Sequence, residues 1–382
     1  MAGHRLLYAF PEPLPLRKAR AVQVVNTVKA LADEGLDVDL AYVPVAEGDD
    51  PFAYYGIARP ETVRLVPLSR GLPWPFSAMR FHSNRLFLWR LRRWLEARQR
   101  VGSCPDVIFA RHVKLASSLL TSFPGIPLIY EAHEVFSQSA PKLHAREKRV
   151  IESADVVIAI TRALATSLGN FFGVSREFVF LPSATTLPDR AAEKNWANAA
   201  REIVYAGSFY DWKGVDDLVA AAQWLPGYRI TLIGGDDKNI DRLRRQIPEG
   251  GAEILFTGHM AHREVWTVLE RACIAVIPNR AGSVSAFTSP LKLFEYMAAG
   301  CAVVASDLPV LREVLADDEA AWFQPGDAKG LADAIRHLST RPSVASDLGS
   351  RLAIKARQFS WSARAASLRK AVEAIAVQSG RP

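Results

Sequence analysis

Short apolar runs alternate along this chain with longer windows whose hydrophobic positions recur every three to four residues. The runs, rich in valine, isoleucine and leucine, read as strands buried on both faces, and the windows read as amphipathic helices. In the first half, strands are predicted at 6–10, 38–43, 63–66, 107–110, 127–130, 156–160 and 178–181, with helices at 21–34, 84–100 and 162–172. A second alternation predicts strands at 202–207, 228–233, 253–256, 273–277, 302–305 and 321–323. Strand–helix alternation of this kind predicts α/β architecture with parallel sheets. With 382 residues the chain is long for one core, so two doubly wound domains are expected. The stretch 183–200 between the two series is polar and uncommitted, and we place the linker there. The expected division is 1–185, a linker at 186–200, a second domain over 201–360 and a closing helical segment over 361–382.

The segment Thr288-Ser-Pro-Leu-Lys-Leu-Phe-Glu-Tyr-Met-Ala-Ala-Gly300 is the densest in chemistry. It reads as a turn opening a helix, whose orphan N–H groups and positive dipole end suit a phosphate. Ser289 can cap that helix and Pro290 fits its first turn. Lys292, a cation in a first turn, calls for an anion. Glu295 lies three residues on, beside it on one face. An ammonium for phosphate next to a carboxylate for sugar hydroxyls makes a receptor for a nucleoside diphosphate; the plainer alternative is a helix whose charges face solvent. Tyr205-Ala-Gly-Ser-Phe-Tyr-Asp-Trp-Lys-Gly214 is a strand, a loop and a helix start, with Lys213 at the loop's end. Leu232-Ile-Gly-Gly-Asp236 and Thr257-Gly-His-Met260 end two further strands in glycine turns, a weak signal by themselves.

In the first half, Glu131, His133 and Glu134 cluster at the carboxyl end of a predicted strand, where titratable groups are more often functional than structural. Arg17, Lys18 and Arg20 follow the first strand in a proline-rich loop just before a helix. They are candidates for a phosphate or acceptor loop, or for a solvated basic turn. From Arg80 to Arg100 seven arginines face one acid, Glu96, around an apolar stripe of Leu88, Leu91 and Leu95 flanked by Phe87 and Trp94. Such a helix suits an anionic membrane surface, or packs on the core with its basic face in water.

Composition narrows the classes. A net charge of +7 makes an acidic partner plausible. No helix-turn-helix, zinc or aromatic RNA-binding signature points to nucleic acid. No apolar run reaches bilayer length, and the start, Met1 to Phe10, reads as a buried strand rather than a signal peptide. Three scattered cysteines form neither a disulfide framework nor a metal site, and the eight histidines lack ligand spacing. A cytoplasmic location follows as the expectation.

The segment from Ser289 to Gly300 resembles the C-terminal signature of the retaining glycosyltransferases of family 4, group 1 type, which have the GT-B fold. The resemblance implies two Rossmann-like domains facing a central cleft, the second binding a nucleotide-sugar donor and the first an acceptor. It also implies a last helix that returns to the N-terminal domain, and Phe359-Ser-Trp361 is similar to the family's closing element. On the family's pattern Gly207, Ser208 and Lys213 meet the donor diphosphate, Gly258 and Met260 the base, and Ser289, Pro290, Leu291 and Lys292 the sugar and phosphate. Glu295 then binds the ribose. His133, with Glu134 beside it, is the catalytic candidate. The chain departs from the pattern at Ser208, where an arginine is usual, and at Phe287, where a first glutamate is usual. The resemblance implies no cofactor and no metal requirement. The expected reaction moves a hexose-type sugar from a nucleoside diphosphate to a lipid-linked glycan or surface polysaccharide, at the inner face of the plasma membrane if the arginine-rich helix docks there. A non-catalytic nucleotide-sugar-binding scaffold and a nucleotide-sugar epimerase are the alternatives, with a nucleic-acid binder behind them.

Overall fold

The computed structural model describes residues 4–16, 18–46, 48–71, 84–190, 193–196, 200–282, 285–289 and 291–378. It divides into two units, Met1–Pro182 with Trp361–Pro382, and Ser183–Ser360.

The first unit is built on a seven-stranded parallel sheet in the order β3-β2-β1-β4-β5-β6-β7. Its strands are β1 (Arg5–Leu14), β2 (Asp37–Pro44), β3 (Val63–Pro67), β4 (Val107–Ala110), β5 (Leu128–Ala132), β6 (Val156–Ala159) and β7 (Val179–Phe180). The order reverses between β1 and β4, and the carboxyl ends of strands at such a reversal are where ligands bind in open α/β sheets. β1 runs past its expected end at Phe10 to Leu14, with a register shift between Phe10 and Pro13. Pro11 and Pro13 lack the N–H a regular ladder needs, and a bulge accommodates them. The main helices of this unit are α1 (Ala19–Asp33), α2 (Asn84–Arg100), α3 (Val113–Ser122), α4 (His144–Ser153) and α5 (Arg162–Phe172). On α2 the inward stripe is Phe87, Leu91 and Leu95, all fully buried, so its apolar side is spent on the unit's own core.

The second unit repeats the plan with six parallel strands in the order β10-β9-β8-β11-β12-β13. These are β8 (Glu202–Ala206), β9 (Arg229–Ile233), β10 (Glu253–Gly258), β11 (Ile274–Ile277), β12 (Ala302–Ser306) and β13 (Ala321–Phe323). Helices α6 (Val215–Ala221), α7 (Asp237–Arg244), α8 (His262–Arg271), α9 (Leu291–Ala298), α10 (Ala328–Ser339) and α11 (Pro342–Ala356) surround the sheet. The reversal falls between β8 and β11.

One boundary differs from the sequence-based division. The polar stretch expected to be a linker at 186–200 belongs to the second unit from Ser183 on. There the Ser183 amide donates to Ser289 Oγ at 3.1 Å, and the Lys194 ammonium donates to the carbonyls of Leu269 and Ala272 at 2.7 and 2.5 Å. Lys194 is thus held by fixed carbonyls of the second unit, a pattern that hydropathy cannot reveal. The last helix, α12 (Trp361–Gln378), is part of the first unit. Its Ala365, Leu368, Val372 and Ile375 join Val24, Val25, Val28 and Leu31 of α1 in one apolar cluster.

Candidate functional site

In the second unit the loop after β8 and the start of α9 bring two lysines together. Tyr296 of α9 sets this register: its hydroxyl accepts from the Ala206 amide at 2.7 Å and donates to the Ala206 carbonyl at 3.3 Å, pinning the end of β8 to the helix. Leu293, Phe294 and Met297 are buried around it, which leaves Lys292 and Glu295 on the remaining face. The loop itself is braced at three points. The Lys213 amide donates to the Tyr210 carbonyl at 2.8 Å. The Arg280 amide donates to the Trp212 carbonyl at 2.9 Å. Gly214 has φ +65°, and a Cβ there would collide with the Pro278 carbonyl. Only glycine suits that approach, which explains why glycine follows Lys213.

Lys213 is half-buried, its ammonium 4.1 Å above the Trp212 ring. Burial, and then the positive charge of Lys292, pull its ammonium down to about 8. Lys292 in turn holds Glu295, Nζ to Oε2 at 2.6 Å. His262, at the first position of α8, approaches the other carboxylate oxygen at 3.4 Å. Burial opposes the charge of Glu295, but Lys292 and then His262 outweigh it and hold the carboxyl at about 2. The result is a fixed anion beside two cations, one of them, Lys213, partly desolvated.

The other candidates of this unit fall around the same sheet edge. Gly207 donates its amide to the Ile233 carbonyl at 2.9 Å, and Gly258 accepts from the Gly234 amide at 2.8 Å, so the ends of β8, β9 and β10 lie side by side. Met260 is half-buried on the loop leading to α8. Ser208 gives its carbonyl to the Tyr205 hydroxyl at 2.8 Å. Ser289 uses its hydroxyl to accept the Ser183 amide. Leu291 opens α9, whereas Pro290 lies outside the described residues. Phe287 is half-buried at the end of a short 3-10 turn. Arg280, a further cation on the loop after β11, is committed to Asp217 through contacts of 2.8 and 2.5 Å.

The first unit holds a second cluster, at the carboxyl ends of β4 and β5. Glu131 is the next-to-last residue of β5 and is fully buried, an expensive place for a charge unless it is paired. Three groups pair it. Arg111, which directly follows β4, lies 3.2 Å from Oε1. His133 Nε2 is 2.6 Å from the same oxygen. Arg364 of α12 binds Oε2. Burial disfavours the Glu131 charge, but Arg364 and Arg111 outweigh it and keep the carboxyl far below its usual range. The carboxylate oxygen at 2.6 Å favours a proton on Nε2 of His133, whereas the Arg111 Nε–H, 2.8 Å from the same nitrogen, favours its lone pair; Nδ1 faces Arg111 Nη2 at 3.2 Å. Burial, and then Arg111, pull the ring down to about 4, so His133 is neutral near pH 7. Arg111 Nη2 also donates to Gln23 Oε1 of α1 at 3.0 Å. Tyr8 lies against this group, its hydroxyl pushed up to about 12 by burial.

Glu134 does not join that network. As a residue it is exposed, while partial desolvation of its carboxyl, and then the nearby Glu147 charge, raise it. Glu147 itself is buried and accepts from the Phe136 and Ser137 amides at 2.9 and 2.6 Å, a structural cap. The basic loop is also less available than its sequence suggests. Arg20 is in the first turn of α1 and pairs with Glu12 at 2.6 Å, Lys18 is exposed at that helix's N-cap, and Arg17 lies outside the described residues. On α2 the exposed face carries Arg85, Arg92 and Arg93 around Trp89, with Arg93 5.1 Å over the Trp89 ring; Arg80 lies outside the described residues. Among the described residues no helix is long and apolar enough to cross a membrane. No group of three or more metal-ligating side chains is found among them either.

Arg111, Arg364 and His262 were not singled out from the sequence. Arg111 carried a usable signal, as the first polar residue after an apolar strand at the sheet's reversal point. His262 sits beside the glycine turn at 257–260 and was hidden only by that weak context. Arg364 lies 233 positions from Glu131 in an alanine-rich helix, and nothing local marks it.

Two family models match the chain. Residues 200–341 match "Glycosyl transferases group 1", and residues 21–182 match "Glycosyltransferase Family 4". Among curated proteins, a glycogen synthase from Mycobacterium tuberculosis is 26% identical over 267 residues, covering 63% of this chain and 62% of that relative. A phosphatidyl-myo-inositol mannosyltransferase from Mycolicibacterium smegmatis is 28% identical over 181 residues, covering 46% of this chain and 45% of that relative. The chain thus spans less than two thirds of the curated relatives it matches. Among solved structures, sucrose-phosphate synthase from Thermosynechococcus elongatus superposes with a TM-score of 0.77 at 20% identity, covering 98% of this chain and all of that one. The Anabaena protein HepE in complex with UDP gives a TM-score of 0.72 at 15% identity, covering 97% of this chain and all of that one. At these identities the structural likeness speaks for the fold alone, which is GT-B.

Proposed function

Given that the chain belongs to the group 1, family 4 glycosyltransferases, we propose that it transfers a hexose-type sugar from a nucleoside diphosphate donor, with retained anomeric configuration, to a lipid-linked glycan or a surface polysaccharide. One observation carries the donor side: the convergence of Lys213 and Lys292 beside Glu295, two cations and one fixed carboxylate at the ends of parallel strands. In this assignment the two ammonium groups and the first amides of α9 hold the diphosphate, and Glu295 takes the ribose hydroxyls with His262 steadying it. Gly258 and Met260 border the base. The loop from Ala286 to Leu291, with Phe287 in place of the usual carboxylate, borders the sugar.

The chemistry balances without a covalent enzyme intermediate. The acceptor oxygen forms a bond to the anomeric carbon on the face that the diphosphate leaves. The bond from that carbon to the phosphate oxygen breaks, its electron pair going to the phosphate, and the acceptor's hydroxyl proton passes to a phosphate oxygen. Charge therefore grows on the diphosphate, and Lys213 and Lys292 stabilise it there, the work a divalent cation does in metal-dependent transferases. His133, neutral and held by Glu131, serves as a hydrogen-bonding group for the acceptor side rather than as a charge.

Similarity to a glycogen synthase and to a phosphatidyl-myo-inositol mannosyltransferase supports this range of substrates. UDP and UDP-glucose occupy a structural neighbour, so uracil donors are the first to test. For a lipid acceptor, the exposed Arg85, Trp89, Arg92 and Arg93 of α2 offer a face for an anionic cytoplasmic membrane surface. A thermal-shift screen of UDP-, GDP- and ADP-hexoses tests the donor assignment, since ligand binding to the native state raises the melting temperature. A rise with one base and none with the others supports it. No rise with any of the three refutes it.

A further inference from the structure

We propose that Arg364, on the last helix of the chain, is a positioning residue for His133, and that α12 is a working part of the first unit's reaction apparatus as well as a packing element. The proposal rests on the transferase assignment above. It concerns a residue that touches neither donor nor acceptor there.

The geometry makes the argument. Arg364 is 3% exposed, in the midst of an apolar helix face. A guanidinium costs several kcal/mol to bury unless its hydrogens are taken. Nη1 donates to the Leu181 carbonyl at 2.9 Å and also to the Pro182 carbonyl, and Nη2 donates to Glu131 Oε2, while Nε is buried without a hydrogen-bond partner. Leu181 and Pro182 are the last residues before the chain leaves the first unit, and Arg364 is the fourth residue after it returns. The two passages of the chain are therefore tied to each other and to Glu131 through one rigid fork. Only a planar guanidinium offers that spread of donors; an ammonium concentrates its three on one atom.

The division of the Glu131 oxygens then fixes His133. Arg364 takes Oε2, which turns Oε1 toward His133 Nε2 at 2.6 Å and Arg111 Nε at 3.2 Å. Without Arg364, Oε2 loses its guanidinium and the carboxylate is free to rotate. The imidazole then loses the acceptor that sets its tautomer and ring plane. Arg364 has an electrostatic share as well. The charged groups facing His133 are Glu131 from β5, Arg111 after β4 and Arg364 from α12. Tyr8 of β1 and Gln23 of α1 close the cluster around Arg111 as neutral groups. One carboxylate stands between two guanidinium groups, so the cluster already carries an excess positive charge, which disfavours a further proton on the imidazole.

The experiment compares the full-length wild type with Arg364→Met and Arg364→Lys. His133 is followed by NMR, its signals assigned by their loss in His133→Ala, and initial rates are recorded across pH. In the wild type the ring is expected as the neutral Nε2–H tautomer. Arg364→Met should raise the pH at which the ring takes up its second proton by at least about one unit. It should move the acid limb of kcat the same way and cut kcat at least about tenfold, leaving donor KM within about twofold. Arg364→Lys keeps the charge and loses the fork, so kcat should fall with the acid limb in place. A role confined to packing would lower the melting temperature of both variants without moving the His133 titration, and that outcome overturns the proposal. If Arg364→Met does not fold, the Arg364→Lys spectra decide: an unchanged tautomer with unchanged kcat is equally fatal. Should the wild type transfer no sugar, the transferase assignment fails, while the NMR titration still tests the tie between Arg364 and His133.

Discussion

Lys213 offers a quantitative check of the donor site, because its charge is in reach of ordinary pH. In the free protein, burial and Lys292 place its ammonium at about 8. A diphosphate bound against it favours the charged form and restores its pKa toward 10.5, the value for an unperturbed lysine. The sign follows from linkage. Binding takes up a proton, so affinity is full below the free-state value and falls as pH rises through it. From pH 7 to pH 9 the protonated fraction drops from about nine-tenths to about one-tenth. Nucleoside diphosphate affinity should therefore weaken about tenfold, or ~1.4 kcal/mol. The last proton of a terminal phosphate comes off near pH ~6, so the diphosphate is mostly ionised by pH 7, and its remaining ionisation strengthens binding and opposes the slope. Isothermal titration calorimetry at pH 7, 8 and 9, in two buffers of different ionisation enthalpy, reads both quantities. Near pH 8 about half a proton should enter the complex. Lys213→Met should bind weakly, with no pH slope across the same range. Equal wild-type affinity at pH 7 and pH 9, or a slope that survives in Lys213→Met, would refute the placement of this lysine on the diphosphate.

Three further outcomes are expected. Glu295→Gln should raise donor KM about tenfold or more, since a hydrogen bond to a charged group is worth ~1.5–3 kcal/mol, while kcat changes less; steady-state kinetics with an unchanged KM contradicts the ribose role. Gly214→Ala should lower the melting temperature and cost at least about 2 kcal/mol, because it adds a positive-φ penalty to a collision with the Pro278 carbonyl; a denaturant titration matching wild type shows that the turn tolerates a side chain. Replacing Arg85, Arg92 and Arg93 together by Gln should release protein from anionic vesicles at about 1 kcal/mol per arginine, with the melting temperature unchanged. Equal sedimentation of both proteins with the vesicles removes α2 from any membrane role.

Much of the fold was legible because buried parallel strands announce themselves as apolar runs. The seven and six strands expected from those runs are the strands found. The donor side was legible for a related reason: Lys213, Lys292 and Glu295 each lie within a few residues of a strand end or helix start, so local spacing carries their geometry. What escaped depended on distance in sequence. Arg364 reaches Glu131 across 233 positions, and the partners of Lys194 lie 75 and 78 positions away. The amphipathic pattern of 84–100 was visible, but pattern alone could not say whether its apolar stripe met protein or lipid. The packing of Phe87, Leu91 and Leu95 answers that question in favour of protein. Glu134 shows the opposite case, since adjacency to His133 suggested a shared role, yet past the end of β5 Glu134 is exposed while His133 turns to Glu131.

The central claim is sugar transfer from a nucleoside diphosphate donor held by Lys213, Lys292 and Glu295. It is tested most directly by incubating the purified protein with the nucleotide sugar that stabilises it and with lipid-linked and polysaccharide acceptors. Nucleoside diphosphate release and the anomeric configuration of the new linkage are then followed by NMR. One released diphosphate per glycosidic bond formed is expected, with the donor's configuration kept in the product and with both signals lost in Lys213→Met. Inverted configuration would contradict the mechanism. Transfer at wild-type rate by Lys213→Met would contradict the site.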